Sequence, residues 1–130
     1  MKKIITFGTF DVFHIGHLNI LRRAKELGGT LIVGVSSDDF SFKKKGRFPF
    51  YQENERLSII SGIKYVDSVF LEESLELKIE YIKKYKADVL VMGDDWTGKF
   101  DYLSKITNVI YLERTPTVST SSIIEVIKKF

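Results

Sequence analysis

The stretch GTFDVFHIGH, from Gly8 to His17, contains both histidines of the chain, three residues apart. It follows an apolar run and precedes a helical pattern, so the two imidazoles fall where a strand passes into a helix. Backbone N–H groups at the start of a helix attract anions, and side chains three residues apart on one turn face the same side. Each imidazole can donate to a phosphate oxygen, and a protonated one adds charge. His14 and His17 are therefore predicted to bind phosphate.

Two neighbours of the histidines have predicted roles of their own. Gly16 has no side chain, so a ligand can approach the backbone closely there. Asp11 is either a turn residue or the group that orients an imidazole or the loop backbone, and we favour orientation. A metal site would need further histidine or cysteine ligands, and the chain has no cysteine and no third histidine. We expect no metal ion to be bound by side chains here.

A second candidate anion site lies in the stretch RTPTVSTSSII, residues 114–124. Arg114 follows an apolar run, and a guanidinium suits a diphosphate well. The hydroxyls of Ser119, Thr120 and Ser121 crowd the predicted start of the last helix, where they could cap it or bind phosphate together with the free N–H groups. Because Arg114 stands directly upstream, we favour phosphate binding.

The stretch KKKGR, from Lys43 to Arg47, carries four positive charges in five residues, in a chain of net charge +3. Such a cluster is either a solvated loop or a site for nucleic acid, an anionic membrane or a small phosphorylated ligand. The chain has no wider basic stripe and no aromatic platform, so we expect no nucleic-acid partner. We interpret the cluster as a loop that gains a phosphate-binding role if the other anion-binding stretches converge on it.

Five short apolar runs alternate with segments of helical periodicity. The runs are mostly continuous, as in strands buried on both faces of a sheet. This order predicts a doubly wound, Rossmann-like α/β fold with about five parallel strands, whose ligands bind where Gly8–His17, Gly93–Lys99 and Arg114–Ser122 follow the strands. Ser122 and Glu125 are spaced as a capping box for the last helix. The predicted strands cover residues 4–7, 30–35, 66–70, 88–92 and 108–112, and the predicted helices lie around residues 18–27, 53–63, 75–82 and 123–130.

Length and composition narrow the class of protein. A chain of 130 residues, 44% of them hydrophobic, predicts one domain over residues 1–130 with a sizeable core. The absence of cysteine excludes disulfides and thiolate nucleophiles and fits a reducing compartment. No apolar run approaches the ~20 residues that span a bilayer, and the first run is too short for a signal peptide. We expect a cytoplasmic protein without membrane insertion.

Three motifs together resemble the cytidylyltransferases, in particular their glycerol-phosphate branch: GTFDVFHIGH, GDDWTGKFD at residues 93–101 and RTPTVSTS at residues 114–121. The resemblance implies an HxGH nucleotidyltransferase that transfers CMP from CTP to an alcohol phosphate. It further implies pyrophosphate as the second product, Mg²⁺ bound mainly through the CTP phosphates, and a homodimer. Glycerol 3-phosphate is the favoured acceptor. The alternatives are another polyol or amino-alcohol phosphate, an adenylyltransferase on the same fold, and a nucleotide-binding module without catalysis.

The resemblance also assigns residues to the nucleotide. It implies that His14, His17, Arg114 and a basic residue matched to Lys45 stabilise the transition state, and that Thr9 and Phe10 contact the nucleotide through their backbone. The full set of implied nucleotide-binding residues is Thr9, Phe10, Asp11, His14, Gly16, His17, Arg47, Asp95, Arg114, Thr115, Thr117, Val118, Ser119, Thr120 and Ser121.

The same resemblance implies that lysines bind the acceptor, and the candidates are Lys44, Lys45, Lys64 and Lys78. A one-residue insertion leaves the register open between Lys44 and Lys45. Without the resemblance, Lys78 would be interpreted as a solvated lysine on the third predicted helix. Lys64 stands where the family usually has arginine, and Thr117 replaces a usual glycine of the CTP loop. These departures affect the predicted acceptor choice and the local shape of that loop.

Overall fold

The computed structural model describes residues 1–116 and 118–130. Five strands form one parallel sheet in the order β3-β2-β1-β4-β5. This arrangement confirms the predicted Rossmann-like α/β fold. The strands are β1 (Lys3–Gly8), β2 (Thr30–Ser36), β3 (Ser68–Glu72), β4 (Val89–Gly93) and β5 (Asn108–Leu112).

Helices cover both faces of the sheet. The α-helices are α1 (Ile15–Glu26), α2 (Asp38–Lys45), α3 (Glu53–Ser61), α4 (Lys78–Tyr85) and α5 (Thr120–Lys128), and 3₁₀ helices cover Asp94–Trp96 and Asp101–Lys105. No helix among the described residues is long and apolar enough to cross a membrane.

The two faces of the sheet bury separate apolar clusters, which explains why the strands are continuous apolar runs. Ile4 of β1 packs on one face with Leu21 of α1 and Ile60 of α3. The next residue, Ile5, packs on the other face with Ile82 of α4. All five side chains are at most 1% exposed. Because successive strand residues point to opposite faces, a strand covered on both sides needs apolar residues at every position.

Two local predictions were wrong. The stretch KKKGR is not a loop throughout: Lys43 and Lys45 belong to the last turn of α2, Gly46 ends the helix with a left-handed φ of 74°, and only Arg47 lies beyond it. The capping residue of α5 is Ser119 and not Ser122. Ser119 Oγ accepts a hydrogen bond from Ser122 N at 3.0 Å, so the helix begins three residues earlier than the predicted capping box placed it.

The chain order places a crevice at the carboxyl end of β1. The chain leaves β1 for β2 on one side, and β4 lies on the other side, so β1 stands where the strand order reverses. In open α/β sheets, ligands bind in the crevice outside the strand ends at such a point. Loops that follow β1, β4 and β5 meet there, as predicted.

Candidate active site

The two histidines share one turn at the start of α1, and their rings stack with centroids 3.8 Å apart. His14 is the N-cap residue, and its Nδ1 accepts a hydrogen bond from Gly16 N at 3.1 Å. His17 Nδ1 accepts one from His14 N at 3.2 Å. A neutral imidazole whose Nδ1 accepts must carry its proton on Nε2. Both rings therefore use one nitrogen to hold the turn and keep Nε2–H as a donor.

Burial keeps both imidazoles neutral. It lowers the pKa of His14, and the nearby charge of Arg114 adds to the effect. Burial also lowers the pKa of His17 to about 3, with smaller contributions from the charges of His14, Lys45 and Arg114. The sequence left open a protonated imidazole. The structure instead gives two neutral N–H donors at neutral pH.

Asp11 orients the loop backbone and not an imidazole. Its two carboxylate oxygens accept hydrogen bonds from Phe50 N at 2.7 Å and from Tyr51 N at 3.0 Å. Its carbonyl oxygen accepts from Thr120 Oγ1 at 2.7 Å. Asp11 thus joins the loop after β1 to the segment before α3 and to the start of α5.

The loop after β1 also carries two residues in the left-handed region. Phe10 has a φ of 56° and Val12 a φ of 48°, and a β-branched residue is rarely found there. The ring of Phe10 is 5% exposed and meets the ring of His17 edge-on, with centroids 5.4 Å apart. Packing and the contacts of Asp11 therefore hold a strained backbone beside the histidines.

Arg56 is a central residue of the site that the sequence did not indicate. Its guanidinium is fully buried and donates to the carbonyl oxygens of Thr9 at 2.9 Å, Ser36 at 2.8 Å and Tyr51 at 3.0 Å. It also pairs with the carboxylate of Asp38 at 2.7 Å. The fork of Arg56 therefore fixes the ends of β1 and β2 relative to α2 and α3.

The predicted second anion site is formed by the end of β5 and the start of α5. Arg114 is exposed, and its Nη1 lies 3.8 Å from the Asp95 carboxylate. Thr115 Oγ1 accepts from Asn19 Nδ2 of α1 at 2.9 Å. A Cβ on Gly16 would lie 3.2 Å from Val118 Cγ1 and 2.9 Å from His14 Cε1, so glycine also lets this segment pack against the histidine turn. Thr117 lies outside the described residues.

Lys44 and Lys78 meet at the other end of the crevice. Lys78 is 2% exposed, so it is not a solvated helix lysine, and its Nζ lies 2.5 Å from Glu72 Oε2. Lys44 Nζ donates to Ser36 Oγ at 3.0 Å. Burial lowers the pKa of Lys44 to about 8, although the residue as a whole is exposed. Lys44 thus reaches this end of the crevice directly.

Lys64 is not brought to this site within one chain. It is exposed, and it lies after the end of α3 and before the first residue of β3. The neighbouring Asp67 N donates to Leu31 O at the beginning of β2. Lys64 therefore sits at the amino-terminal edge of the sheet, opposite the crevice, because a crossover helix runs antiparallel to the strands it connects.

Apart from Lys64, all the predicted site residues that the structure describes line one cleft of about 720 Å³. Its size is typical of a small-molecule site. Its wall also includes Glu72 and Phe7, which the sequence did not single out. The predicted residues in its wall are Thr9, Phe10, Asp11, His14, Gly16, His17, Lys44, Lys45, Arg47, Lys78, Asp95, Arg114, Thr115, Val118, Ser119, Thr120 and Ser121.

Three of the four acidic side chains that line the cleft already have partners, and the fourth, Glu113, is exposed. Asp11 accepts two backbone hydrogen bonds, Glu72 pairs with Lys78, and Asp95 faces Arg114. Across residues 1–116 and 118–130, no group of three or more His, Cys, Asp or Glu side chains converges as metal ligands would. The donor set therefore fits a divalent cation that keeps its ligands on a bound polyphosphate and in water.

Comparison with known proteins shows the family of this chain. The model of the family described as cytidylyltransferase-like matches residues 5–126. A glycerol-3-phosphate cytidylyltransferase from Bacillus spizizenii is 47% identical, over 95% of each chain. An FAD synthase from Pyrococcus abyssi is 42% identical over 72% of this chain and 63% of its own length. A lipopolysaccharide core biosynthesis protein from Thermoplasma volcanium, whose crystal structure is known, has a TM-score of 0.75 at 29% identity, over 88% of this chain and 97% of its own.

Proposed function

This chain belongs to the cytidylyltransferase-like family, and from that premise we propose that it transfers CMP from CTP to sn-glycerol 3-phosphate, giving CDP-glycerol and pyrophosphate. One observation carries the proposal. The histidine turn and the start of α5 form one end of a single cleft, and Lys44 and Lys78 form the other end. Such a cleft can hold two phosphorylated substrates side by side.

CTP fits the end that carries the neutral donors. Its phosphates would lie against Nε2–H of His14 and His17, the guanidinium of Arg114, and the N–H groups at the start of α5. Lys45 and Arg47 line the same cleft and would add positive charge beside them. The residues of the GDDW motif, with Asp95 next to Arg114, would complete the nucleotide site.

The reaction needs no nucleophile from the protein. A phosphate oxygen of the acceptor would attack the α-phosphorus of CTP in line, forming one O–P bond as the bond to the β-phosphate oxygen breaks and pyrophosphate leaves. Negative charge accumulates on the α-phosphate oxygens in this transition state. Donors already placed by the fold stabilise that charge without reorganising. His14 and His17 suit this role because their Nδ1 atoms are fixed by backbone hydrogen bonds.

Mg²⁺ is expected to enter the cleft with CTP. When bound, it would neutralise phosphate charge. Three of the four carboxylates in the cleft have other partners, so the chain would contribute chiefly by holding the phosphates that carry the ion. Arg114 and the start of α5 would do this.

Charge favours a polyol phosphate over an amino-alcohol phosphate. The acceptor end combines the ammonium groups of Lys44 and Lys78 with one carboxylate, that of Glu72, and so attracts an anion. An acceptor with an ammonium tail would bring a like charge to the same place. Glycerol 3-phosphate brings only hydroxyls and the phosphate.

We further propose that the protein works in the cytoplasm and as a homodimer. CTP is an intracellular substrate, and the absence of cysteine fits a reducing compartment. Lys64 lies at the far edge of its own chain from the cleft, so its predicted acceptor role requires a contact between two copies. Sedimentation of the wild type tests the homodimer. KM for glycerol 3-phosphate in Lys64→Ala tests the role of Lys64, since a lysine placed by a partner affects acceptor affinity and a remote surface lysine does not.

Pyrophosphate release tests the reaction. Each of the four nucleoside triphosphates is combined with glycerol 3-phosphate, other polyol phosphates, ethanolamine phosphate, choline phosphate and FMN. We expect release with CTP and glycerol 3-phosphate. Release only with ATP and FMN would instead favour the adenylyl transfer named for the FAD synthase relative. If no combination released pyrophosphate, the proposal that the protein is a nucleotidyltransferase would be contradicted.

A further inference from the structure

A buried carboxylate links the two lysines of the acceptor end. Glu72, the last residue of β3, is 1% exposed and lies in the wall of the cleft. Its Oε2 pairs with Lys78 Nζ at 2.5 Å, and its Oε1 accepts from Ser36 Oγ at 3.4 Å. Ser36 Oγ in turn accepts from Lys44 Nζ at 3.0 Å. One carboxylate therefore holds Lys78 directly and Lys44 through a hydroxyl.

The surroundings of Lys78 are largely apolar, so its ammonium group needs the Glu72 carboxylate to stay charged. Lys78 Nζ lies 4.0 Å from the ring centre of Phe7 and 5.1 Å from that of Phe100. Aromatic faces stabilise an ammonium group only modestly, and an unpaired charge buried in such a place is strongly disfavoured. Burial lowers the pKa of Lys78, and the charge and hydrogen bond of Glu72 oppose that shift.

Apart from Glu72, the charged groups that act on Lys44 are all positive. Lys44 and Lys45 come from α2, Lys78 from α4 and Arg56 from α3. The last three each lower the pKa of Lys44, and Glu72 raises it. Of the described groups that act on Lys44, Glu72 is therefore the one that favours its charged form. From β1 this end receives the ring of Phe7, which does not titrate.

We propose that Glu72 is a positioning residue for the acceptor: its carboxylate holds Lys78, and through Ser36 also Lys44, charged and aimed at the acceptor phosphate. This rests on the proposed function in so far as the two lysines are assigned to that phosphate. Glu72 itself touches neither reacting group. When the cleft is empty, its negative charge offsets the repulsion between the two neighbouring ammonium groups, which would otherwise favour the loss of a proton from one of them.

The test replaces the charge of Glu72 and keeps its shape, with Glu72→Gln. Steady-state kinetics then measure KM for CTP and for glycerol 3-phosphate between pH 6 and pH 9. We expect KM for the acceptor to rise about 10- to 100-fold, as when a charged hydrogen bond to a substrate is lost, while KM for CTP changes less than about twofold. The pH above which acceptor affinity falls should also be lower than in the wild type, because both lysines lose the group that keeps them protonated.

Glu125→Gln is the matched control, since Glu125 also faces a lysine, Lys128, but on the exposed surface of α5 at 4.0 Å. It should leave both KM values and the pH profile unchanged. The double variant Glu72→Gln/Lys78→Met removes the buried pair as a unit. It should recover most of the thermal stability lost in Glu72→Gln without recovering acceptor affinity.

A titration by NMR makes the test independent of turnover. Spectra of ¹³C-labelled lysine side chains, with Lys78 assigned from Lys78→Arg, should show Lys78 losing its proton at a lower pH in Glu72→Gln than in the wild type. An unchanged titration would overturn the proposal, whatever the substrate is. An equal rise of both KM values with an unchanged pH profile would also overturn it and would make Glu72 a merely structural residue. Wild-type protein inactive with glycerol 3-phosphate, but with the expected titration, would overturn only the proposed acceptor.

Discussion

The substitution His14→Asn should separate the two roles of this histidine, which are to cap α1 and to donate a hydrogen bond into the cleft. His14 caps α1 through Nδ1, which accepts from Gly16 N at 3.1 Å, and it offers Nε2–H to the cleft. The side-chain oxygen of asparagine can take the place of Nδ1, and asparagine is among the best N-cap residues. Its short side chain cannot place a donor where Nε2 lies. Alanine removes both the cap and the donor.

The expected sizes of the two effects are very different. Loss of a fixed donor to a developing negative charge lowers kcat about 100- to 1,000-fold. Loss of an N-cap lowers the free energy of unfolding by about 1 kcal/mol. His14→Asn should therefore lose the activity and keep the stability of the wild type. His14→Ala should lose similar activity and also about 1 kcal/mol of stability.

Two assays measure these effects separately. Turnover at saturating CTP and glycerol 3-phosphate gives kcat, and urea unfolding with linear extrapolation gives the free energy of unfolding. The reasoning is refuted if His14→Asn keeps kcat within tenfold of the wild type. It is also refuted if His14→Asn is as unstable as His14→Ala, because the accepting nitrogen would then not be what holds the turn.

Three further predictions concern charge and the frame of the site. Because the pKa of His17 is lowered to about 3, the imidazole takes up a proton in the unfolded chain at a pH where it stays neutral in the folded one, so the free energy of unfolding should fall as the pH drops from about 6.5 towards 3. His17→Gln should flatten this slope in urea titrations at several pH values, and an identical slope would contradict the buried neutral ring. Arg56→Met should lower the free energy of unfolding by about 3–5 kcal/mol, because it removes all four hydrogen bonds of the buried guanidinium and leaves Asp38 without that partner. Arg56→Lys should recover only part of this loss, and a change below about 1 kcal/mol in Arg56→Met would be inconsistent with this role. Since the pKa of Lys44 is about 8, KM for the acceptor should rise above that pH. Lys44→Arg should move this rise to higher pH, because a guanidinium stays charged, and an unshifted dependence of KM on pH would show that Lys44 does not bind the acceptor phosphate.

Much of the fold could be predicted because its strands are apolar on both faces. Ile4 and Ile5 point to opposite sides of the sheet and are both fully buried, so the run around them is unmistakable in the sequence. Helix α2 was missed for the opposite reason. It is eight residues long and buries only Phe40 and Ser41, and it ends in three lysines that resemble a solvated loop.

The histidine pair was predictable because its two members are close in sequence, whereas the frame around it was not. Arg56 joins residues 5 to 47 positions away, and nothing local distinguishes it from a surface arginine on a helix. Glu72 and Lys78 are six residues apart, and they meet only because the connection from β3 to α4 folds back on itself. The neutrality of the histidines could not be predicted either, since it depends on burial and on Lys45 and Arg114.

The central claim is that one cleft joins CTP to glycerol 3-phosphate in a single step, and ³¹P NMR of the reaction tests it most directly. Purified protein is incubated with CTP, glycerol 3-phosphate and Mg²⁺, and the phosphorus signals are followed with time. We expect the resonances of a CDP-glycerol diphosphate and of pyrophosphate to grow together in equal amounts, and neither to form when glycerol 3-phosphate is left out. Pyrophosphate released without the acceptor, or no diphosphate product with it, would show that the cleft does not join the two substrates in one step.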